Sequence, residues 1–144
     1  MSGFFAYSDD TTLTPPLKTL IQHTTTVELL NTAKALKRSA FHWLPLHLLR
    51  AALRRGEQPT LFTQAFHEII RTPRELADFY VLYGDEPLAA VFKRCAERAF
   101  RRFTASQVIH APPVLRTLMR RAHPKPTHQL QSHVWRSFLA GDSV

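Results

Sequence analysis

Cysteine is almost missing from this chain of 144 residues. Its single cysteine, Cys95, excludes an internal disulfide. No apolar run approaches the roughly 20 residues that a membrane-spanning helix needs. The start, MSGFFAYSDD, also lacks the basic segment and apolar stretch of a secretory signal. We therefore expect a cytoplasmic protein that folds without disulfides and has no membrane partner.

Glycine is scarce too, with four residues in the chain, and no segment alternates convincingly between apolar and polar residues. Both absences argue against strands and hairpins, whereas apolar residues recur at spacings of three and four, as in amphipathic helices. The sequence predicts an all-α fold of about nine short helices, stacked in pairs as in helical-repeat proteins. Residues 1–14 are expected to form a loose N-terminal segment, and residues 15–144 a single module.

Several helix limits follow from capping residues. Helices are predicted near 17–24, 27–39 and 44–55, with Thr26 as an N-cap and Gly56 as a C-terminal stop. The segment TLFTQAFHEIIRT forms the next helix, with Thr60 as its cap. Pro73 suits the first position of the following helix, which ends at Gly84.

Motifs that carry catalysis or bind metals are missing as well. No glycine-rich phosphate loop, GxSxG elbow or HExxH pattern occurs, so we expect no enzymatic activity and no cofactor. His123, His128 and His133 are evenly spaced by five, but this spacing turns successive rings to different sides of a helix. No metal site is expected.

Acidic residues are nearly absent from the last third of the chain. Residues 1–92 carry nine Lys/Arg and nine Asp/Glu, whereas residues 93–136 carry ten Lys/Arg against one acid, Glu97. The ten are Lys93, Arg94, Arg98, Arg101, Arg102, Arg116, Arg120, Arg121, Lys125 and Arg136. A positive field of this kind attracts polyanions and pairs with phosphates, so nucleic acid is the leading partner class. The plainer interpretation is a basic surface that only keeps the protein soluble.

The longest helix is predicted from about Glu86 to Phe103. At about 100° per residue its apolar residues share one face, and its charged residues, Glu97 among them, share the other. Such a charged face is usually just solvated, but a face made for solubility normally mixes both signs. This face is almost entirely positive, which favours a binding surface.

A second basic segment, VLRTLMRRAHPKPTHQL, spans Val114 to Leu130. Two prolines flank Lys125, ending one helix near His123 and stiffening the turn into the next helix, which begins at Thr127. The turn is expected to present His123 and Lys125 beside Arg120 and Arg121. Arginine and lysine pair with phosphate, and histidine donates to phosphate or stacks on an unpaired base. An ordinary proline-rich helix connection is the alternative.

Two stretches resemble a known family. The segment LRTLMRRAHPKPTHQLQSHVWRSFLAG resembles the TROVE pattern of the Ro ribonucleoprotein autoantigen family, in which a helix with a leucine pair and an arginine leads into His-x-Lys-Pro and a further helix. IIRTPRELADFYVLYGDEPLAAVFKRCAERAF is similar to the TROVE run in which an Arg-Thr-Pro helix start precedes a basic amphipathic helix. The similarity covers roughly residues 60 to 140.

The resemblance implies a ring of HEAT-like helical repeats that binds small noncoding RNAs on a basic outer surface. It implies RNA contacts at Lys93 and Arg94 and at Arg120, His123 and Lys125. Charge and wheel position add Arg98, Arg101, Arg102 and Arg121. The metal-binding Asp-x-Ser-x-Ser loop of the family's von Willebrand A-type domain does not occur in the sequence, so no metal role transfers. About nine helices form only an arc, and a homo-oligomer or a partner protein would complete a ring.

Two other functions stay open. One is a structural protein-protein interaction module within a larger ribonucleoprotein assembly, marked by an exposed apolar patch in FHWLPLHLL. The other is a helix-turn-helix DNA binder that inserts the helix from Pro112 into a major groove. That helix has almost no Asn or Gln for reading base edges, which disfavours the DNA-binding alternative.

Overall fold

Every regular element in the described part of the chain is an α-helix. The computed structural model describes residues 12–84, 86–122 and 133–141, and nine helices lie within these ranges. They are α1 Pro15–Gln22, α2 Thr26–Arg38, α3 Trp43–Arg55, α4 Pro59–Ile69, α5 Pro73–Tyr83, α6 Ala90–Arg102, α7 Ala105–Ile109, α8 Pro113–Ala122 and α9 His133–Ala140. The predicted all-α class is confirmed for these residues. They form two compact units, Met1–Ile69 and Ile70–Val144.

The first unit contains α1 to α4, and its core is formed by α2, α3 and α4. Leu29 and Leu30 of α2, Leu49 of α3 and Phe66 of α4 are almost fully buried. Helix α3 ends at Gly56, whose φ of 65° lies in the left-handed region that favours glycine, so the predicted stop is confirmed. Arg55 of α3 donates from Nη2 to the carbonyl of Ile21 at 2.6 Å, so it ties α3 to the C-terminal end of α1.

The second unit contains α5 to α9 around an aromatic core. Phe92 of α6 is fully buried, and its ring centroid lies 5.0 Å from that of Phe79 and 5.0 Å from that of Tyr83. At the other end of α6, Phe100 contacts Phe138 of α9 at 5.1 Å. Aromatic pairs at these distances contribute beyond their buried area, so α5, α6 and α9 are held to one another by specific ring contacts.

The connection between α5 and α6 is fixed by one tyrosine. The Tyr83 hydroxyl donates to the carbonyl of Pro87 at 2.7 Å and accepts from the backbone N–H of Ala89 at 3.0 Å. Gly84 then leaves α5 with a φ of 85°. Since both hydrogen-bonding roles of the hydroxyl are used, this connection is tied to α5 at two points.

Some predicted limits differ from the structure. Thr25, not Thr26, caps α2, because its hydroxyl accepts from the N–H of Glu28 in a capping box. Helix α4 begins at Pro59, so Thr60 lies inside it. Helix α6 begins at Ala90 rather than near Glu86. It has 13 residues and shares this greatest length among the described helices with α2 and α3. The predicted helix start at Thr127 lies outside the described residues.

Candidate functional site

Three arginines on α6 form a row that faces solvent. Arg94, Arg98 and Arg102, called the arginine row below, are exposed and spaced by four residues. Each step rises about 6 Å along the helix and turns by about 40°, so the guanidinium groups follow one side of α6 over roughly 12 Å. None of the three has an ion pair or hydrogen bond within residues 12–84, 86–122 and 133–141. The row therefore presents its guanidinium groups to solvent.

Arg101 differs from the row because a carboxylate lies beside it. Its Nη1 lies 3.6 Å from Oε1 of Glu97, and the Glu97 side chain is only 2% exposed, against 54% for Arg101. The sequence placed Glu97 on the exposed charged face, and this prediction is wrong. On the helical wheel Glu97 stands near Phe100, and Phe138 packs against Phe100, so the buried sector of α6 is wider than the apolar pattern indicates.

Two arginines of α8 form hydrogen bonds with carbonyl groups of α9. Arg116 donates from Nε to the carbonyl of Phe138 at 2.6 Å, and its guanidinium lies 4.8 Å from the centroid of the Phe138 ring. Arg120 donates from Nε to the carbonyl of Leu139. The last carbonyls of a helix lack intrahelical partners and carry a partial negative charge, so these arginines cap the C-terminus of α9. Arg120 remains a predicted RNA contact, but the structure gives it a structural role.

Lys93 and Arg121 meet at a groove. The groove has a volume of about 540 Å³ and lies between the end of α5, the α5–α6 connection and the end of α8. Lys93 is half-buried and has no ion pair or hydrogen bond among the residues that the structure describes, whereas Arg121 is exposed. The structure thus brings together two cations that are 28 positions apart in the sequence.

The predicted turn at His123 and Lys125 lies outside the described residues. The structure therefore positions seven of the nine predicted RNA contacts. Four are arginines on α6, two are the cations at the groove, and the seventh is Arg120 of α8, which bonds the end of α9. Whether the turn continues the basic surface stays a prediction.

Sequence reasoning missed the groove and the cap of α9. The groove is lined by residues that belong to no recognisable motif, among them Val81, Glu86 and Leu118. The one signal in the sequence is the group of aromatic residues Tyr80, Tyr83 and Phe92, whose rings pack together in this region. Burial raises the pKa of the Tyr80 phenol, beside the groove, well above its ordinary value. Tyr80 therefore supplies a neutral wall.

Among the described residues, no group of three or more His, Cys, Asp or Glu side chains could hold a metal ion. The FHWLPLHLL segment does not form an exposed patch in the first unit, since Phe41, Trp43 and Leu44 are half-buried and Leu46 is buried. No helix in the described ranges is long and apolar enough to cross a membrane.

Comparison with known proteins adds no relative: no family model, no curated protein and no solved structure matches the chain.

Proposed function

We propose that this protein binds small structured or partly single-stranded noncoding RNA through the arginine row of α6, without catalysing a reaction. The observation that carries the proposal is that Arg94, Arg98 and Arg102 are exposed and have no partner in the described part of the chain. A solubilising surface would place acids among such residues. The one acid on this helix, Glu97, is instead buried beside Arg101.

The chemistry of the row fits phosphate better than a protein surface. The guanidinium group forms paired hydrogen bonds to phosphate oxygens, and each phosphate contact releases counterions. Contacts of this kind position an RNA backbone without reading its sequence, so recognition by shape and by unpaired segments is expected. Helix α8 is less suited to enter a DNA major groove, because Leu115 and Met119 are buried and Arg116 is bonded to α9.

The resemblance of residues 60 to 140 to TROVE modules supports RNA as the polyanion. On this proposal the helices belong to a HEAT-like arc that further copies or a partner protein would complete, and the protein acts in the cytoplasm. Cys95, the single cysteine, is buried and is in no disulfide. The oligomeric part of the proposal is tested by light scattering with and without bound RNA.

The decisive experiment measures RNA affinity against salt. A labelled RNA hairpin with a single-stranded tail, a single-stranded RNA and a DNA duplex are titrated by fluorescence anisotropy between about 50 and 200 mM salt. The variant changes Arg94, Arg98 and Arg102 to Gln. Since each phosphate contact contributes about 0.7–0.9 to the slope of log K against log salt, removing three should reduce the slope by about 2–3. A reduction of this slope by 0.5 or less would show that the row does not contact phosphate.

A matched control removes three cations elsewhere. Lys18, Arg38 and Arg54 are exposed residues of the first unit, and their change to Gln alters the net charge equally. This control should keep the parent's slope within about 0.5. An equal reduction of the salt slope in both variants would mean that net charge alone attracts RNA. Preference for duplex DNA would favour the helix-turn-helix alternative, and no nucleic-acid binding at moderate salt would favour the protein-interaction alternative.

A further inference from the structure

The groove beside the arginine row has the size of a small-molecule site. Its volume of about 540 Å³ falls within the range of about 300–1,000 Å³ that is typical of ligand pockets. One wall is helix α5, another is the α5–α6 connection, and the third is the end of α8. Because the Tyr83 hydroxyl bonds both Pro87 and Ala89, the connection is held in place before any ligand binds.

The groove is apolar on the side formed by α5 and on the side formed by α8, and the apolar residue on the α5 side is exposed to solvent. Val81 lies in the last turn of α5 with 51% of its surface exposed, although most apolar residues of that helix are buried. Leu118, from α8, is half-buried, and the ring of Tyr80 contributes a neutral aromatic edge. An apolar slot of this kind suits a flat heterocycle, because every nucleobase has an apolar face.

The described charges of the groove favour an anionic ligand. Among the described lining residues, Lys93 and Arg121 are cations and Glu86 is the one carboxylate. An excess of cations at an apolar slot suits a nucleotide, whose phosphodiester is negatively charged. Lys93 also directly precedes Arg94, the first residue of the arginine row, so a backbone held by the row would reach the groove without crossing another element.

From these observations we infer that the groove holds one unpaired nucleotide of the bound RNA. The base lies between Val81 and Leu118, and its phosphodiester pairs with Lys93, the lining cation that has no ion pair or hydrogen bond among the described residues. This inference rests on the proposed RNA binding and adds to it a preference for RNA with a bulged or terminal unpaired nucleotide. Burial of one base in this apolar slot should favour RNA with an unpaired nucleotide over fully paired RNA by about tenfold.

The test compares two hairpins that differ only by one bulged nucleotide. The parent is expected to bind the bulged hairpin about tenfold more tightly. In Val81→Asp, a carboxylate replaces the apolar wall, so the ratio of the two affinities should fall to about one while the affinity for the paired hairpin changes less than twofold. The matched control is Val114→Asp on α8, because Val114 is 48% exposed and does not line the groove. It should keep the tenfold ratio.

The outcomes separate this inference from the proposed function. A parent that binds both hairpins equally, or a ratio unchanged in Val81→Asp, overturns the nucleotide groove and leaves the arginine row intact. A parent that binds neither hairpin overturns both. A further arm titrates cytidine monophosphate and follows amide shifts of residues 80–93 by NMR. Binding of that nucleotide, without discrimination between the hairpins, would assign the groove to a free nucleotide and overturn the RNA assignment.

Discussion

Replacing Arg116 with Ala should loosen helix α9 rather than weaken RNA binding directly. The substitution removes the Nε donor 2.6 Å from the carbonyl of Phe138 and the guanidinium 4.8 Å from the Phe138 ring. A hydrogen bond with a charged partner contributes about 1.5–3 kcal/mol, and a cation over an aromatic ring about 0.5–1 kcal/mol at exposed sites. Arg116 is half-buried, so solvent reduces both terms, and we expect a net loss of about 2–3 kcal/mol.

Hydrogen exchange localises this loss. Since 1.4 kcal/mol corresponds to a factor of ten, backbone amides in residues 133–140 should exchange about 30–150 times faster if local opening governs them. Arg116→Lys keeps the positive charge but lacks the Nε donor, so it should restore only part of the protection. Exchange is followed by mass spectrometry on a peptide that covers α9.

Arg98→Ala provides the control, because it makes the same change in the same unit at a side chain with no partner in the described ranges. It should alter protection by less than about 0.5 kcal/mol. Equal protection of α9 in Arg116→Ala and Arg98→Ala would refute the capping role. Lost RNA affinity in Arg116→Ala with unchanged α9 exchange would instead place Arg116 in the RNA-binding surface.

Two further predictions concern stability. Thr72→Ala removes the acceptor 3.2 Å from the N–H of Glu75 and should lower the free energy of unfolding by about 1 kcal/mol in urea, whereas Thr117→Ala on exposed α8 surface should not lower it. The raised pKa of Tyr80 means that the unfolded chain releases this proton near pH 10 while the folded chain keeps it. The contribution of Tyr80 to the free energy of unfolding is therefore complete below about pH 10. Above that pH it declines by up to about 1.4 kcal/mol per pH unit. In Tyr80→Phe, urea unfolding between about pH 9 and 11 should show a shallower decline, and an equal decline would contradict this reasoning.

Local signals predicted much of the fold. Apolar spacing identified the main helices, and Pro73 and Gly56 marked a start and an end as predicted. Helix α7 was missed because it has five residues, too few for a periodic pattern. Its start was nevertheless encoded, since Thr104 and Gln107 have capping-box spacing and their side chains bond each other's backbone.

The candidate site was only partly predictable, because the helical wheel describes an isolated helix. It placed Lys93 and Glu97 on the edge of the charged face of α6. The structure half-buries Lys93 at the groove and buries Glu97. Both outcomes depend on which neighbour covers that edge, and a neighbour such as Phe138, 38 positions after Phe100, leaves no signal in the α6 sequence.

The same spacing of arginines has two different consequences in this chain. Arg94 and Arg98 on α6, and Arg116 and Arg120 on α8, are each four residues apart on a basic amphipathic helix. The first pair faces solvent, whereas the second pair bonds carbonyls at the end of α9. The difference arises because a helix C-terminus, with its partial negative charge, lies against α8. The positive charge counted along the sequence therefore overstates the charge that is exposed to solvent, and the proposed binding surface is limited to the arginine row and the groove next to it.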